Sequence, residues 1–213
     1  MAKAVKGLKQ FSRNDIEAVF LEVAASKVLR KPVSVFLIGG CAMTFRNLKP
    51  STKDVDLLFE GELSEQAFFR ALKSVGFKEL FPGSYEIDLK AKDILINDNG
   101  LQFDLFTKTV MGGLRLTPAM KKLAVKHADY GLLSVFLASK EDVYLFKAIT
   151  TRPFPRDYED LLTLQQSGLD WKTVFLEFEA QIKGRDIEVN LRKKLATLKK
   201  NGVLNPLIRE LEI

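Results

Sequence analysis

The chain has one cysteine, one histidine and no long apolar run, and each shortage excludes something. Cys41 has no partner for an intrachain disulfide, which fits a reducing compartment. His127 stands alone, so sites built on paired or clustered histidines are excluded. No apolar stretch approaches the roughly 20 residues needed to cross a bilayer. The basic start, Met1-Ala2-Lys3-Ala4-Val5-Lys6, lacks the apolar heart of a secretion signal. The expectation is a cytoplasmic protein with no membrane partner. Internal repeats, low-complexity tracts, a P-loop and a dinucleotide-binding glycine fingerprint are all missing.

What is present suits a folded chain of modest size. Of 213 residues, 46% are apolar, enough to bury a real core. Lys and Arg number 33 against 27 Asp and Glu, a net charge of +6. Part of the excess gathers near the C-terminus, at Lys183, Arg185, Arg192, Lys193, Lys194, Lys199 and Lys200. Arg115, Lys121, Lys122 and Lys126 form a smaller group. Such a surface favours polyanionic partners, RNA among them, but for the charge alone a solvated helix face is the simpler account.

Hydrophobic periodicity divides the chain near residue 139. Ile16, Val19, Phe20 and Val23 mark a first helix over 14–28, with Asn14 as its expected N-cap. Strands are expected at 33–38, 53–59, 91–97, 101–107 and 132–138. Asp98-Asn99-Gly100 makes a tight hairpin between the third and fourth. Ser64 is the expected cap of a helix reaching Val75, and Gly76 and Pro82-Gly83 punctuate the stretch after it. From Ser139, which with Asp142 forms a capping-box pattern, the sequence turns helical: 140–150, 156–167, 171–182, 186–200 and a short segment from 204. The expected class is α+β, a mixed sheet with flanking helices over 1–138 followed by a helical lobe over 139–213.

The chemically informative stretch runs from Phe36 to Phe59. Side chains two apart on a strand share a face, so Asp54 and Asp56 project together while Val55 and Leu57 point the other way. Like charges held side by side repel, and a divalent cation removes that cost. Mg²⁺ binds through one or two carboxylates completed by substrate phosphates; a solvated strand face is the alternative for the pair taken alone. Gly39-Gly40, at the end of a strand and the start of a helix, offers free backbone amides and close access for a phosphate, or a plain tight turn. Asp104 interrupts the apolar strand Leu101–Phe106, where a carboxylate is costly unless paired or metal-bound; an exposed strand position, on the face shared with Gln102 and Phe106, is the alternative. Asp54, Asp56 and Asp104 together can hold two Mg²⁺ or Mn²⁺ ions for an in-line phosphoryl displacement, with Asp104 also able to accept the acceptor's proton. Cys41 reads as a small packing residue.

Gly39-Gly40, a spacer, Asp54-x-Asp56 and the later Asp104 resemble the signature of the nucleotidyltransferase (DNA polymerase β-like) superfamily. Phe146-Lys147 through Arg152, followed by Arg156-Asp157-Tyr158-Glu159-Asp160-Leu161, is similar to the helical motif of abortive-infection (AbiE-type) toxin nucleotidyltransferases. The resemblance spans roughly residues 33–165. Many relatives carry serine where Gly40 stands; those of the toxin type have Gly-Gly. The resemblance implies a metal-dependent transfer of a nucleoside monophosphate from NTP to an acceptor hydroxyl, on RNA or a tRNA end. It implies that Gly39, Gly40, Thr52, Lys53, Lys147, Arg152 and Asp157 contact the nucleotide, and that Asp160 orients a neighbouring cation or caps its helix. Two other readings stay open: a non-catalytic nucleotide- or RNA-binding module, and a toxin–antitoxin component whose partner is another protein.

Overall fold

The computed structural model describes residues 9–81, 91–110, 113–150, 157–181 and 185–213. Helix α1, Arg13–Ala25, begins at Ser12 and not at Asn14. The Ser12 hydroxyl accepts the Asp15 amide, and the Asp15 carboxylate accepts the Ser12 amide at 2.7 Å. That reciprocal box satisfies two backbone donors where Asn14 would satisfy one. Strand β1 is Val33–Leu37, followed by helix α2, Gly39–Phe45, and strand β2, Asp54–Phe59. Helix α3, Glu62–Ser74, starts at Gly61, ahead of the expected Ser64, and carries Glu62 and Glu65 in its first turn, where acids complement the helix dipole.

Strands β3, Lys78–Glu79, β4, Asp93–Ile96, and β5, Gln102–Thr107, follow. The expected turn joins β4 to β5: Gly100 adopts a φ of +87°, and the Asn97 side chain accepts the Asn99 and Leu101 amides at 3.0 Å each. A short hairpin of β6, Thr109–Val110, and β7, Leu114–Arg115, leads into helix α4, Pro118–Leu123. Strands β8, Val125–Asp129, and β9, Leu133–Leu137, complete the strands. From Lys140 on, every described element is a helix: α5, Lys140–Ile149; α6, Tyr158–Gln166; α7, Trp171–Gln181; α8, Arg185–Lys200; and α9, Pro206–Glu210. Ser139 caps α5 as expected, accepting the Asp142 amide at 3.0 Å. The Pro82-Gly83 pair lies outside the described residues. No described helix is long and apolar enough to cross a membrane.

The seven main strands form one mixed sheet in the order β3-β4-β5-β2-β1-β9-β8. β2 runs parallel to β5 and β1 parallel to β9, while β1 and β2 are antiparallel. Alternation along β2 and β5 divides the sheet by chemistry. Phe59 and Phe103 join Phe20 of α1 and Phe68 of α3 in a fully buried aromatic cluster, with ring centroids 5.6–6.4 Å apart. Each such side chain is worth roughly 1.5–3 kcal/mol relative to exposure in water. The opposite face of the same two strands carries Asp54, Asp56, Gln102 and Asp104.

Polar contacts join α7 to the β6–β7 hairpin and to the cap of α4, and the end of α2 to the segment after β9. Gln181 exchanges two hydrogen bonds with the Arg115 backbone, at 2.8 and 2.6 Å. Thr117 donates to Glu177 at 3.0 Å, and the Arg46 guanidinium donates to the Ala138 carbonyl at 2.7 Å. Loss of any one partner would orphan a buried polar group.

Candidate active site

β1 stops at Leu37, and the chain then turns sharply through Gly39, whose φ is +60°. Only glycine takes that conformation freely. A second constraint is tighter: a Cβ on Gly39 would lie 2.1 Å from Asp56 Oδ2. The turn therefore presses bare backbone against the Asp56 carboxylate. A Cβ on Gly40 would lie 2.9 Å from the Thr52 hydroxyl, so Thr52 fills the space a side chain at that position would need. Thr52 is buried and donates to the Asp54 carbonyl at 3.1 Å. Its backbone pairs with Phe11 through two hydrogen bonds of 2.7 and 2.9 Å, which fix the loop entering β2.

Asp54 and Asp56 line one wall of a cavity of about 190 Å³. Asp104 sits beside Asp56 in the parallel register, 2% exposed, and accepts the Gln102 amide at 2.7 Å. It does not itself line the cavity. Cys41 packs fully buried behind the pair; burial, reinforced by Asp56 and then Asp54, pushes its thiol well above the ordinary range. A protonated, enclosed thiol is a packing group, as expected.

Ion-paired lysines line the same cavity. Lys147, on α5, is 2.6 Å from Asp160, and Lys49, on the loop between α2 and β2, is 2.8 Å from the same carboxylate. Burial raises the Asp160 carboxyl, but Lys147 and then Lys49 outweigh it and hold the group below the ordinary range. Asp157, 2% exposed, accepts from Thr150 at 2.7 Å and faces Lys194 at 3.3 Å. Lys53 also lines the cavity, and Ile38, Phe106, Val110 and Phe146 supply apolar surface. Arg152 and Arg156 lie outside the described residues. Of the sequence candidates, the fold brings Gly39, Gly40, Thr52, Lys53, Asp54, Asp56, Lys147 and Asp157 to one cavity.

Sequence reasoning missed Lys49, Gln10 and Ser51, which line the cavity from irregular segments and carry no pattern. It also placed Lys194 in an exposed basic cluster. A signal for Lys194 existed: it falls seven residues after Ile187 and three after Leu191, on the apolar stripe of α8, and it is buried. Other cations of the two basic groups are also engaged. Arg192 holds Glu188 and the Leu211 carbonyl, and Lys199 donates to the Ile213 carbonyl. Lys121 pairs with Glu60 and Lys126 with Asp129. His127 is half-buried against Glu17 at 2.7 Å, a structural contact.

The donor set fits a divalent cation of one kind. Among the described residues, no group of three or more His, Cys, Asp or Glu side chains could hold a metal by itself. Two neighbouring carboxylates over an open cavity, with no cage around them, suit a hard cation whose remaining ligands are substrate oxygens and water.

No family model and no curated protein matches the chain. Solved structures do. An antigenic nucleotidyltransferase-like protein from Paracoccidioides brasiliensis is similar over 95% of this chain and 94% of its own, with a TM-score of 0.51 and 14% identity. The antibiotic-resistance factor ANT(2'')-Ia is similar over 88% and 98%, with a TM-score of 0.43 and 17% identity. JHP933 from Helicobacter pylori is similar over 92% and 96%, with a TM-score of 0.40 and 12% identity. The likeness to the first is one of architecture, and on it the chain has a nucleotidyltransferase-like α+β fold.

Proposed function

We propose that the chain is a metal-dependent nucleotidyltransferase, moving a nucleoside monophosphate from NTP to an acceptor hydroxyl. The observation that carries this reading is that Asp54, Asp56 and Lys147 line one cavity. Residues 1–138 form the catalytic core in this reading, and 139–213 the helical lobe that closes the nucleotide cleft. Asp54 and Asp56 are the residues that would hold Mg²⁺ or Mn²⁺, with Asp104 completing the acid set from the next strand. When bound, the metal neutralises phosphate charge and stabilises the attacking and leaving oxygens.

The chain's own groups do the rest. Gly39 and Gly40 offer backbone amides to the polyphosphate, and Lys147 meets it as a point charge. Thr52 and Lys53 border the same space, and Asp157 keeps α5 and α8 in register through Thr150 and Lys194. The acceptor oxygen forms a bond to the α-phosphorus while the bond from that phosphorus to the bridging oxygen breaks. Pyrophosphate leaves, and the acceptor's proton passes to a carboxylate of the acid set, Asp104 being the candidate. The acceptor we favour is RNA, including a tRNA end, supported by the net positive charge. Arg192, Lys194, Lys199, Lys121 and Lys126 already have protein partners, which narrows that support. A protein hydroxyl, or an antitoxin-like protein partner, is the competing class.

The test mixes the protein with each labelled NTP, Mg²⁺ or Mn²⁺ and total RNA, beside Asp54→Ala and Asp56→Ala. Label moving to RNA or protein, and lost in both variants, is the expected result and names the acceptor. NTP binding without transfer, equal in wild type and variants, would mean a non-catalytic binding module. Neither binding nor transfer would sink the enzyme reading.

A further inference from the structure

We propose that Lys49 is a second phosphate-binding cation of this cavity, one that Asp160 holds beside Lys147 until a polyphosphate arrives. The proposal rests on the nucleotidyl-transfer reading and adds a residue to it. The two oxygens of Asp160 are divided between two ammoniums: Oδ1 meets Lys49 at 2.8 Å and Oδ2 meets Lys147 at 2.6 Å. The Asp160 cluster alone sets two cations against one anion, while Asp54 and Asp56 line the same cavity and would be occupied by a metal in the nucleotidyl-transfer reading. An anion entering beside Lys49 and Lys147 would compensate the positive charge of that cluster.

The chemistry of that anion follows from the donors. Each ammonium has three donors on one small head, and the ion pair with Asp160 uses one from each. Ammonium groups bind phosphate as point charges. Two of them on one wall suit a ligand with at least two adjacent anionic groups, as in a nucleoside diphosphate or triphosphate tail. Asp54 and Asp56 line the same cavity, so a tail held there would have both the lysines and the acid pair within one space. The lysines also differ in freedom. The Lys147 side chain is 8% exposed on a helix, whereas that of Lys49 is 33% exposed on a loop. Lys49 is therefore the one able to leave Asp160 and follow the ligand. Its loop runs directly into Thr52, Asp54 and Asp56, so a phosphate gripped by Lys49 also steadies the strand carrying the acids.

Titration calorimetry with the four NTPs and the matching NMPs, in Mg²⁺, tests this on wild type, Lys49→Met and Lys49→Arg. A hydrogen-bonded charge lost from a partly buried site should weaken NTP binding about tenfold or more. NMP binding should change far less, and Lys49→Arg should recover most of the NTP affinity. Melting curves check that each variant is folded; Lys49→Gln replaces Lys49→Met if the latter melts early. Unchanged NTP affinity in a folded Lys49→Met, or an equal loss for NTP and NMP, overturns the proposal. If wild type transfers nucleotide and Lys49→Met binds NTP normally, Lys49 is refuted and the enzyme reading stands. If wild type binds no NTP, both fall together.

Discussion

Replacing Gly39 by alanine separates backbone strain from damage at the site. The residue sits at φ +60°, where an L side chain costs roughly 1–2 kcal/mol. For a chain of this size that cost alone lowers the melting temperature by roughly 2–8 °C. The added Cβ would also lie 2.1 Å from Asp56 Oδ2 and 3.1 Å from Asp56 Cγ. Restoring ordinary contact at 3.4 Å moves the carboxylate oxygen by about 1.3 Å. Displacing a side-chain tip leaves the backbone pairing of β2 in place, so the fold survives, but the oxygen no longer stands where a metal shared with substrate requires it. Misplacement on that scale costs on the order of 10²-fold in rate. Gly131→Ala supplies the control: its φ is +76° and nothing lies within 4 Å of the new Cβ. Melting curves and the label-transfer assay are run on both variants. A similar loss of stability with activity lost only in Gly39→Ala is the expected outcome. Wild-type transfer by folded Gly39→Ala would refute the role assigned to Asp56.

Asp160→Asn should cost roughly 3 kcal/mol in urea titrations at pH 7, because it strips a mostly buried lysine of its counter-ion. Since Asp160 is held below the ordinary range, its contribution is present above that range and lost as pH falls through the folded value, so the gap between variant and wild type should close in acid; a constant gap refutes the ion-pair account. Glu65 behaves oppositely. Its side chain is buried beside the Asp93 carboxyl; burial, only partly offset by Lys92 and reinforced by Asp93, raises its carboxyl to about 7. The folded state then binds more protons, so stability should fall between about pH 4.5 and 7. Glu65→Gln should remove that part of the fall, and melting temperatures at pH 5 and pH 8 with the same difference in both proteins would contradict it. Cys41 should resist a maleimide at pH 8 in the native protein and react fully in denaturant; stoichiometric native labelling would show that the space behind Asp56 is open.

The helices and the strands β1, β2, β4, β5 and β9 were legible because their apolar periods are strong, and their strand limits shift by only one or two residues; β3, β6 and β7, of two residues each, and the edge strand β8, with no buried apolar side chain, were not. Caps were less legible. Ser12 displaced Asn14 because a reciprocal pair outcompetes a single bond, and Gly61 displaced Ser64 because the acids of the next turn already favour an earlier start. The acids were readable from their spacing, as period-two geometry fixes which side chains share a face. Lys49 was not, since only tertiary packing brings its loop to Asp160. Lys194 shows the converse error, a charge assigned to solvent although its position on the stripe of α8 pointed inward.

The parallel register of β2 and β5 has a consequence for errors in folding. Asp56 faces Asp104 only because Val55 faces Phe103 and Leu57 faces Leu105. A slip of one residue would set Phe103 or Leu105 opposite Asp56, turn the acids toward the aromatic cluster and expose its phenylalanines. The alignment that buries the hydrophobic face thus also aligns the two aspartates. Mis-paired strands would forfeit the burial of Phe103 and the pairing of the acids together, so a chain that has reached its compact state has also assembled its carboxylates.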